Sequence, residues 1–483
     1  MKLKSTLLML MLSMGIFAQD KSEFIYASLE AQHASELKAS HPELIDIITT
    51  HNDVTIAHLH PEAAHELHQK ILSHGPGYLM HPSKEAAIDK IKNVKEQSRT
   101  VLQFTIDQQA FVRQALDEVS QSNIEEVMLA LEAFGTRYHT SVQANQSAEY
   151  VKQTWENIIA LYGRENDVSV RLVNHNNTPM KSVVVTINGT QTPNEYVIIG
   201  GHLDSTVGGW DKSFAPGSDD DASGIATITE ALRVLLANNF QPNRTVEIMA
   251  YAAEEIGLVG SNEIATSYRN QNKNVVAFVQ FDMTNFKGSS QDVYLATDSF
   301  INNALNLYLI ELMEEYNSSG HHQFTYGTTR CNYGCSDHYS WAVNNFPAAF
   351  PFEASFDDSN MNIHTPYDTF ELIGDASHSV KFAKLAIEFL VETAKHTGPL
   401  STTDYPSLKG QFYLDQKVLG FELPSTTKVI SATVMNVGGQ KMITKTQLNS
   451  KDRIDLNHLP QGGYILILET QDGQKITHKF VLK

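Results

Sequence analysis

The sequence of 483 residues is poor in cysteine, short of positive charge and, beyond its first residues, without a long apolar run. No stretch approaches the roughly 18 consecutive apolar residues that a membrane helix needs, so no membrane span is expected. Lys and Arg number 36 against 55 Asp and Glu, a formal charge of −19. That balance disfavours nucleic acid and anionic lipid surfaces as partners, because both are held by a basic face that displaces counterions. The charge is unevenly spread: residues 401–483 carry 10 basic and 7 acidic groups, a surplus of 3, which leaves about −22 for the rest. The shift marks a boundary near residue 400.

The two cysteines, Cys331 and Cys335, lie four positions apart. In an oxidising compartment they are expected to pair, and so short a loop contributes only about 2 kcal/mol, so the bridge shapes the chain locally. Use of both thiolates as metal ligands is the alternative and would need further ligands nearby. The first residues indicate the compartment. Lys2 and Lys4 precede an apolar run from Leu7 to Phe17, and Ala18 meets polar Gln19-Asp20. Residues 1–18 therefore read as a secretory signal peptide, although Ile16 is bulky for its place before the cut. The protein is expected to be extracellular.

A chain of this length exceeds one ordinary core. Residues 19–103 are rich in helix formers, and nine of the 20 histidines fall between His33 and His81. This segment is read as a helical pro-region that assists folding or covers the active site. His58, His60, His65 and His68 could bind a metal, but their spacing fits no standard zinc pattern, and a solvated helical face is the preferred reading. From 104 to 398 strands alternate with helices. "EYVIIGGHLDS", "RTVEIMAYAAEE" and "VVAFVQFDM" are strand-like, while "ASGIATITEALRVLLANN", "FINNALNLYLIELMEEY" and "SVKFAKLAIEFLVETAK" have helical spacing. The expected fold is α/β, a mostly parallel mixed sheet flanked by helices.

Ligands of such sheets sit beyond the carboxyl ends of the strands. There stand His202 and Asp204 after the first strand, Glu254 and Glu255 after the second, and Asp282 after the third, with Asp219, Asp220 and Asp221 opening a helix. A helix N-terminus offsets an anion by only about 0.3–1 kcal/mol, too little for so many carboxylates. A divalent cation among them resolves the repulsion. Three acidic ligands and two histidines match a pair of zinc-like ions, with one aspartate bridging. Each piece has a bland reading: the triplet as a capped helix start, the glutamate pair as a solvated turn, His364 as a lone loop histidine.

"GGHLDS", "APGSDDDASG", "AYAAEEIGLVGS", "FDMTN" and "IHTPYDT" occur in the order seen in secreted dizinc aminopeptidases of the bacterial leucyl aminopeptidase type, which residues 105–398 resemble. The resemblance implies a zinc-exopeptidase-like fold and two Zn2+ per chain. It puts His202 and Asp282 on one metal, Glu255 and His364 on the other, and Asp220 between them. Glu254 is the implied general base acting on a metal-bridging water, with Asp204 orienting His202. Asp219 and Asp221 are expected to make backbone or solvent contacts and to matter less. Glu254 and Glu255 can serve one site only where the strand gives way to a turn, a demand that Gly257 fits. The positions Met283, Tyr333, Phe350, Phe352 and Phe356, with the two cysteines, are the implied pocket for the first side chain of the substrate. Peptides with a free N-terminus, leucine foremost, are the implied substrates, although residue 350 is Phe where Met is expected. Mixed His and carboxylate ligation also suits cobalt or manganese. The chain is expected to act as a monomer.

Residues 405–483 alternate in the manner of half-buried strands, with a hairpin signal at Asp472-Gly473. A small antiparallel β-sandwich is expected. "IDLNHLPQGGYILILET" and the final "FVLK" resemble the sorting domain of type IX secretion, which implies a partner in the secretion machinery, although an Asn-Pro motif near its start is missing. A plain accessory β domain is the rival. For the whole chain, the rivals are a single-metal enzyme similar to glutaminyl cyclases and a non-catalytic binding module.

Overall fold

The computed structural model describes residues 24–93, 104–398 and 411–482, apart from 52, 61–62, 64–65, 68–73, 416, 424–426, 437–440, 447 and 472–474. The expected signal peptide, His65, His68 and the Asp472-Gly473 turn lie outside the described residues. Among the described residues no helix is long and apolar enough to cross a membrane.

The N-terminal segment is not helical as expected. Strands β1 (Ile25–Glu30), β2 (Ile45–His51), β3 (Val54–Leu59) and β4 (Leu79–His81) form an antiparallel sheet in the order β2-β3-β1-β4. The helices Ala31–Ser40 and Lys84–Asn93 accompany it. Helix formers make helices in "AQHASELKAS" and "KEAAIDKIKN", whereas "IDIITTH" and "VTIAHL", rich in β-branched Ile, Val and Thr, pair as strands. Ala27, Leu29, Ala34, Leu37, Ile45 and Leu59 close a small core of its own. His58 lies on β3 and His60 is buried just after it, with Phe24 5.2 and 5.3 Å from their rings, so neither belongs to a solvated helical face.

The central sheet contains β5 (Val168–Val173), β6 (Ser182–Ile187), β7 (Thr192–His202), β8 (Arg244–Tyr251) and β9 (Asn274–Gln280). Strands β10 (Val293–Ala296), β11 (Tyr326–Thr329), β12 (Ala348–Ala349) and β13 (Pro351–Phe352) follow. The six-stranded order is β12-β9-β7-β8-β6-β5, parallel from β12 through β8 and antiparallel beyond, while β11-β10-β13 form a small second sheet. Successive side chains of a strand face opposite ways. Val197, Ile199, Val246, Ile248 and Ala250 accordingly join the large core on one side, while Ile198, Met249 and Tyr251 join a second core on the other. The helices Phe111 and Trp155 belong to, with Gly224–Ala237 and Ser379–Ala394, cover the first face; Val259–Asn270 and His338–Val343 cover the second. Caps fix the helix starts: Ser120 accepts from the Asn123 amide, Ser141 from Ala144 and Asn302 from Leu305. Because β9, β7 and β8 are parallel neighbours, their carboxyl ends converge at one edge.

The C-terminal strands are β14 (Gln411–Asp415), β15 (Val418–Glu422), β16 (Val429–Asn436), β17 (Lys441–Thr446), β18 (Lys451–Asp455), β19 (Gly462–Thr470) and β20 (Lys475–Leu482). They form two antiparallel sheets, β14-β15-β18 and β17-β16-β19-β20. Phe421, Val434, Ile454, Leu466 and Phe480 from both sheets share one core, which makes the expected sandwich.

Candidate metal centre

His202 is the last residue of β7, Glu254 and Glu255 lie three and four residues past β8, and Asp282 lies two past β9. Asp220 comes from the irregular turn Ser218–Ser223 that enters the helix Gly224–Ala237, where Asp220 and Asp221 leave helical geometry and share a cis peptide bond. His364 comes from the loop that follows β13, with a φ of 55°. All six are buried or nearly so.

The geometry divides them into two sets about Asp220. His202 Nε2 lies 2.9 Å from Asp220 Oδ1 and 3.4 Å from Asp282 Oδ1. His364 Nε2 lies 2.9 Å from Asp220 Oδ2 and 3.0 Å from Glu255 Oε2. Atoms bound about 2.0–2.2 Å from a tetrahedral zinc are about 3.3 Å apart, so both sets have the spacing of ligands around one ion. Both oxygens of Glu254 are buried without a hydrogen-bond partner, a costly state unless a cation or a bound water completes it. The donor set therefore fits divalent ions.

Electrostatics point the same way. Burial, reinforced by Glu255, Asp337 and Asp282 against the pull of His202, holds the Glu254 carboxyl well above its ordinary value. Burial likewise pushes Glu255 up. Burial disfavours the His364 imidazolium, yet Glu255 and Asp220 carry it up to about 10. The two glutamate carboxyls rise, while Asp220 and Asp282, buried too, are held down by the histidines beside them: the carboxylates here depend on neighbouring positive charge, which a bound cation would supply.

Several expectations about supporting residues change. Asp204 Oδ1 accepts the Glu254 amide at 2.9 Å and Oδ2 the Glu255 amide at 3.1 Å. Its carboxylate is 3.7 Å from His202 Nδ1, whereas its backbone oxygen is at 3.1 Å. Asp204 thus grips the glutamate turn and touches the histidine chiefly through its carbonyl. Asp219 and Asp221 do make backbone contacts, but neither meets solvent. Asp221 accepts from the His202, Gly224 and Met283 amides, and Asp219 accepts from the Asn285 amide and the Asn360 side chain. They tie the turn to the loops that carry His202 and Asp282. The break that turns both glutamates inward falls at Ala253, with a φ of 56°; Gly257, at 110°, ends the same turn.

Sequence reasoning assigned no role to Asp368, Arg137 or His74. Asp368 lies within the quoted "IHTPYDT", and its two oxygens accept the Asp219 and Asp220 amides at 3.0 and 3.1 Å. Arg137, fully buried, donates to the carbonyls of Leu203, Pro216 and Gly217 and pins the turn from behind. His74, from the N-terminal unit, places Nε2 3.2 Å from Asp282 Oδ1.

Met283, Cys331, Tyr333, Cys335, Phe350 and Phe352 form one apolar cluster beside the acidic group, with Phe356 packed on it. Cys331 and Cys335 are joined as a disulfide, so the thiolate alternative falls. The expected pocket residues are therefore neighbours, on a wall next to the clustered ligands.

A family model for peptidase family M28 matches residues 182–390, and one for a secretion system C-terminal sorting domain matches 408–483. Leucine aminopeptidase 1 of Paracoccidioides brasiliensis (strain Pb03) is 33% identical over 304 residues, 60% of this chain and 75% of the relative. A probable aminopeptidase of Saccharomyces cerevisiae is 32% identical over 309 residues, 62% of this chain and 80% of the relative. Among solved structures, LapB from Legionella pneumophila superposes with a TM-score of 0.67 at 27% identity, over 77% of this chain and 100% of that one. The LapA aminopeptidase of the same organism gives 0.66 at 28%, over 78% and 99%. The likenesses to both enzymes and the ligand-rich sheet edge agree: the chain belongs to peptidase family M28, as a zinc-dependent aminopeptidase with a secretion-system sorting domain at its C-terminus.

Proposed function

We propose that the chain is made as a precursor with a signal peptide over residues 1–18 and a pro-region over 19–103, and is exported by type IX secretion. Its mature form removes large apolar N-terminal residues, leucine foremost, from peptides. One observation carries the reading: the two oxygens of Asp220 face two separate sets, each with one histidine and one carboxylate.

In this reading His202 and Asp282 hold one zinc, Glu255 and His364 the other, and Asp220 is shared. Bound there, the ions supply Lewis acidity, lowering the pKa of water toward neutrality and stabilising charge on the peptide carbonyl oxygen. The chain does the rest. Glu254, whose carboxyl oxygens have no hydrogen-bond partner and which is next to Glu255, accepts a proton from the attacking water and returns it to the departing amine. Asp204 fixes the Glu254 and Glu255 amides, so that both side chains point inward. Asp368 and Arg137 hold the Asp220 turn. The Met283, Phe350 and Phe352 wall excludes water and accepts an apolar side chain.

The test is a comparison of leucine-, arginine- and glutamate-anilides as substrates of the processed protein, with metal analysis alongside. Leucine is expected to be fastest, with two ions per chain and no turnover after chelation. One ion per chain, or a preference for arginine or glutamate, would overturn the corresponding part.

A further inference from the structure

The N-terminal unit reaches into the candidate metal centre with one side chain. His74 is buried to 1% exposure, its Nε2 lies 3.2 Å from Asp282 Oδ1, and its Nδ1 has no hydrogen-bond partner. His74, Asp220 and Asp282 each offer an atom within 4.8 Å of the others, the same closeness that joins His202, Asp220 and Glu255. A fully buried imidazole whose nearest polar neighbours are the carboxylates of another unit is an unusual placement, since buried polar groups are ordinarily satisfied on every side. Here it points at the carboxylates rather than away from them.

Its placement is built, not incidental. The Tyr333 hydroxyl donates to the His74 carbonyl and accepts from its amide. Gly75, at a φ of 65°, lets the chain pass where a Cβ would stand 2.2 Å from the Cys335 carbonyl and 3.1 Å from Glu254 Oε1. Farther along, the Met80 amide donates to the Gly257 carbonyl and the Asn262 side chain donates to the Met80 carbonyl. The imidazole ring itself sits 6.1 Å from Phe350 and 5.5 Å from Phe352, on the wall assigned above to the substrate side chain.

We propose that His74 is an inhibitory metal ligand, its Nε2 completing the coordination of the ion held by His202 and Asp282 in the intact chain. This rests on the two-ion reading of the centre. A catalytic zinc keeps one position open for water or substrate, and a structural zinc has all its positions filled by protein. His74 converts the first kind of site into the second and occupies the side-chain pocket at the same stroke. Activity then requires that the His74–Met80 segment be withdrawn or removed, a switch set by one imidazole.

The full chain loaded with cobalt(II) tests this by proton NMR. Imidazole N–H protons of coordinated histidines appear as strongly shifted resonances, and burial of the His74 ring slows their exchange. Three such resonances are expected in the parent chain and two in both His74→Phe, which keeps the ring's bulk, and His74→Gln. Cobalt release to a chelator is expected to be about tenfold faster or more in both variants. Two resonances in the parent, unchanged in the variants, would overturn the role of His74 while leaving the two-ion centre standing. Failure of His202→Ala and His364→Ala each to remove one resonance would instead strike the two-ion reading, and the proposal with it. Unfolding of the metal-free variants at the parent's temperature shows that either result concerns ligation and not folding.

Discussion

The two ends of the chain both fold as small antiparallel β units, yet they meet the central domain in different ways. The N-terminal unit adds to an apolar contact of Leu79 with Leu258 and Val343 a set of polar ones: Lys90 donates to Asn262, Thr266 and Asn344, Tyr333 clasps His74, and Met80 bonds Gly257 and Asn262. The C-terminal sandwich closes its own core and meets the central domain at an apolar cluster of Leu161, Met435 and Ile465, with Tyr162 and Ile467 beside it. Buried polar groups tolerate one arrangement only, since each displaced partner leaves an unsatisfied atom. A few apolar side chains specify far less. The first interface therefore carries information about the site, and the second holds a module that can be separated from it.

The largest expected effect tests which side of the first interface belongs to catalysis. Glu254→Gln is expected to lower turnover of a leucine anilide by about 10²- to 10⁴-fold, with metal content and N-terminal docking unchanged. A variant that instead sheds the N-terminal unit and keeps its turnover would place Glu254 in the interface and not in the chemistry. Gly75→Ala attacks from the other side. Its Cβ has no room against Cys335 and its φ is unfavourable for any side chain, so the segment should be weakened by about 1–3 kcal/mol. That shifts the docked population by roughly five- to 150-fold. Leucine-anilide hydrolysis by the intact chain should rise accordingly, and an unaltered rate would mean that this segment does not control access.

Lys90 offers a milder handle, through pH. Burial pushes its ammonium down to about 7 from an ordinary value near 10.5. Below pH 7 it is protonated both docked and undocked, and the full cost of burying the charge opposes docking. Between pH 7 and 10.5 the undocked lysine still binds a proton that the docked one has lost, so docking strengthens as pH rises, by at most about 1.4 kcal/mol per unit. Lys90→Met should flatten that slope in an assay of N-terminal protection from protease. An equal slope in parent and variant would assign the pH dependence to another group.

How far the sequence reveals these contrasts depends on the range of the contacts. The ligands are legible because each stands just past a recognisable strand, and the parallel order of β9, β7 and β8 brings those ends together without further information. The supports are not. Asp368 acts on the Asp220 turn from 148 positions away through backbone amides, which leave no mark on the side chains they bind. Ala253 adopts a positive φ that alanine does not advertise, so Gly257 draws the eye in its place. The strands of the N-terminal unit are short; "IDIITTH" and "VTIAHL" carry β-branched residues and pair as a hairpin, a signal that the helix formers around them mask. His74 is harder still. It stands among nine histidines, and nothing local distinguishes the one that enters the site.

The smallest effect belongs to the other end. Ile465 is buried at 6% exposure, where β19 meets Leu161 and Met435. It pairs with Met435 on the neighbouring strand, and the sandwich core of Phe421, Val434, Leu466 and Phe480 does not include it. Truncation to alanine therefore removes apolar area from the contact between units and leaves each core intact. The expected loss in the contact is about 1–2 kcal/mol from area alone, seen as faster proteolytic separation of the sandwich. Turnover and metal content should stay within about twofold of the parent, because no strand that carries a ligand touches this cluster. A loss of activity well beyond twofold from Ile465→Ala would invert the comparison, and would make the C-terminal contact one that communicates with the site.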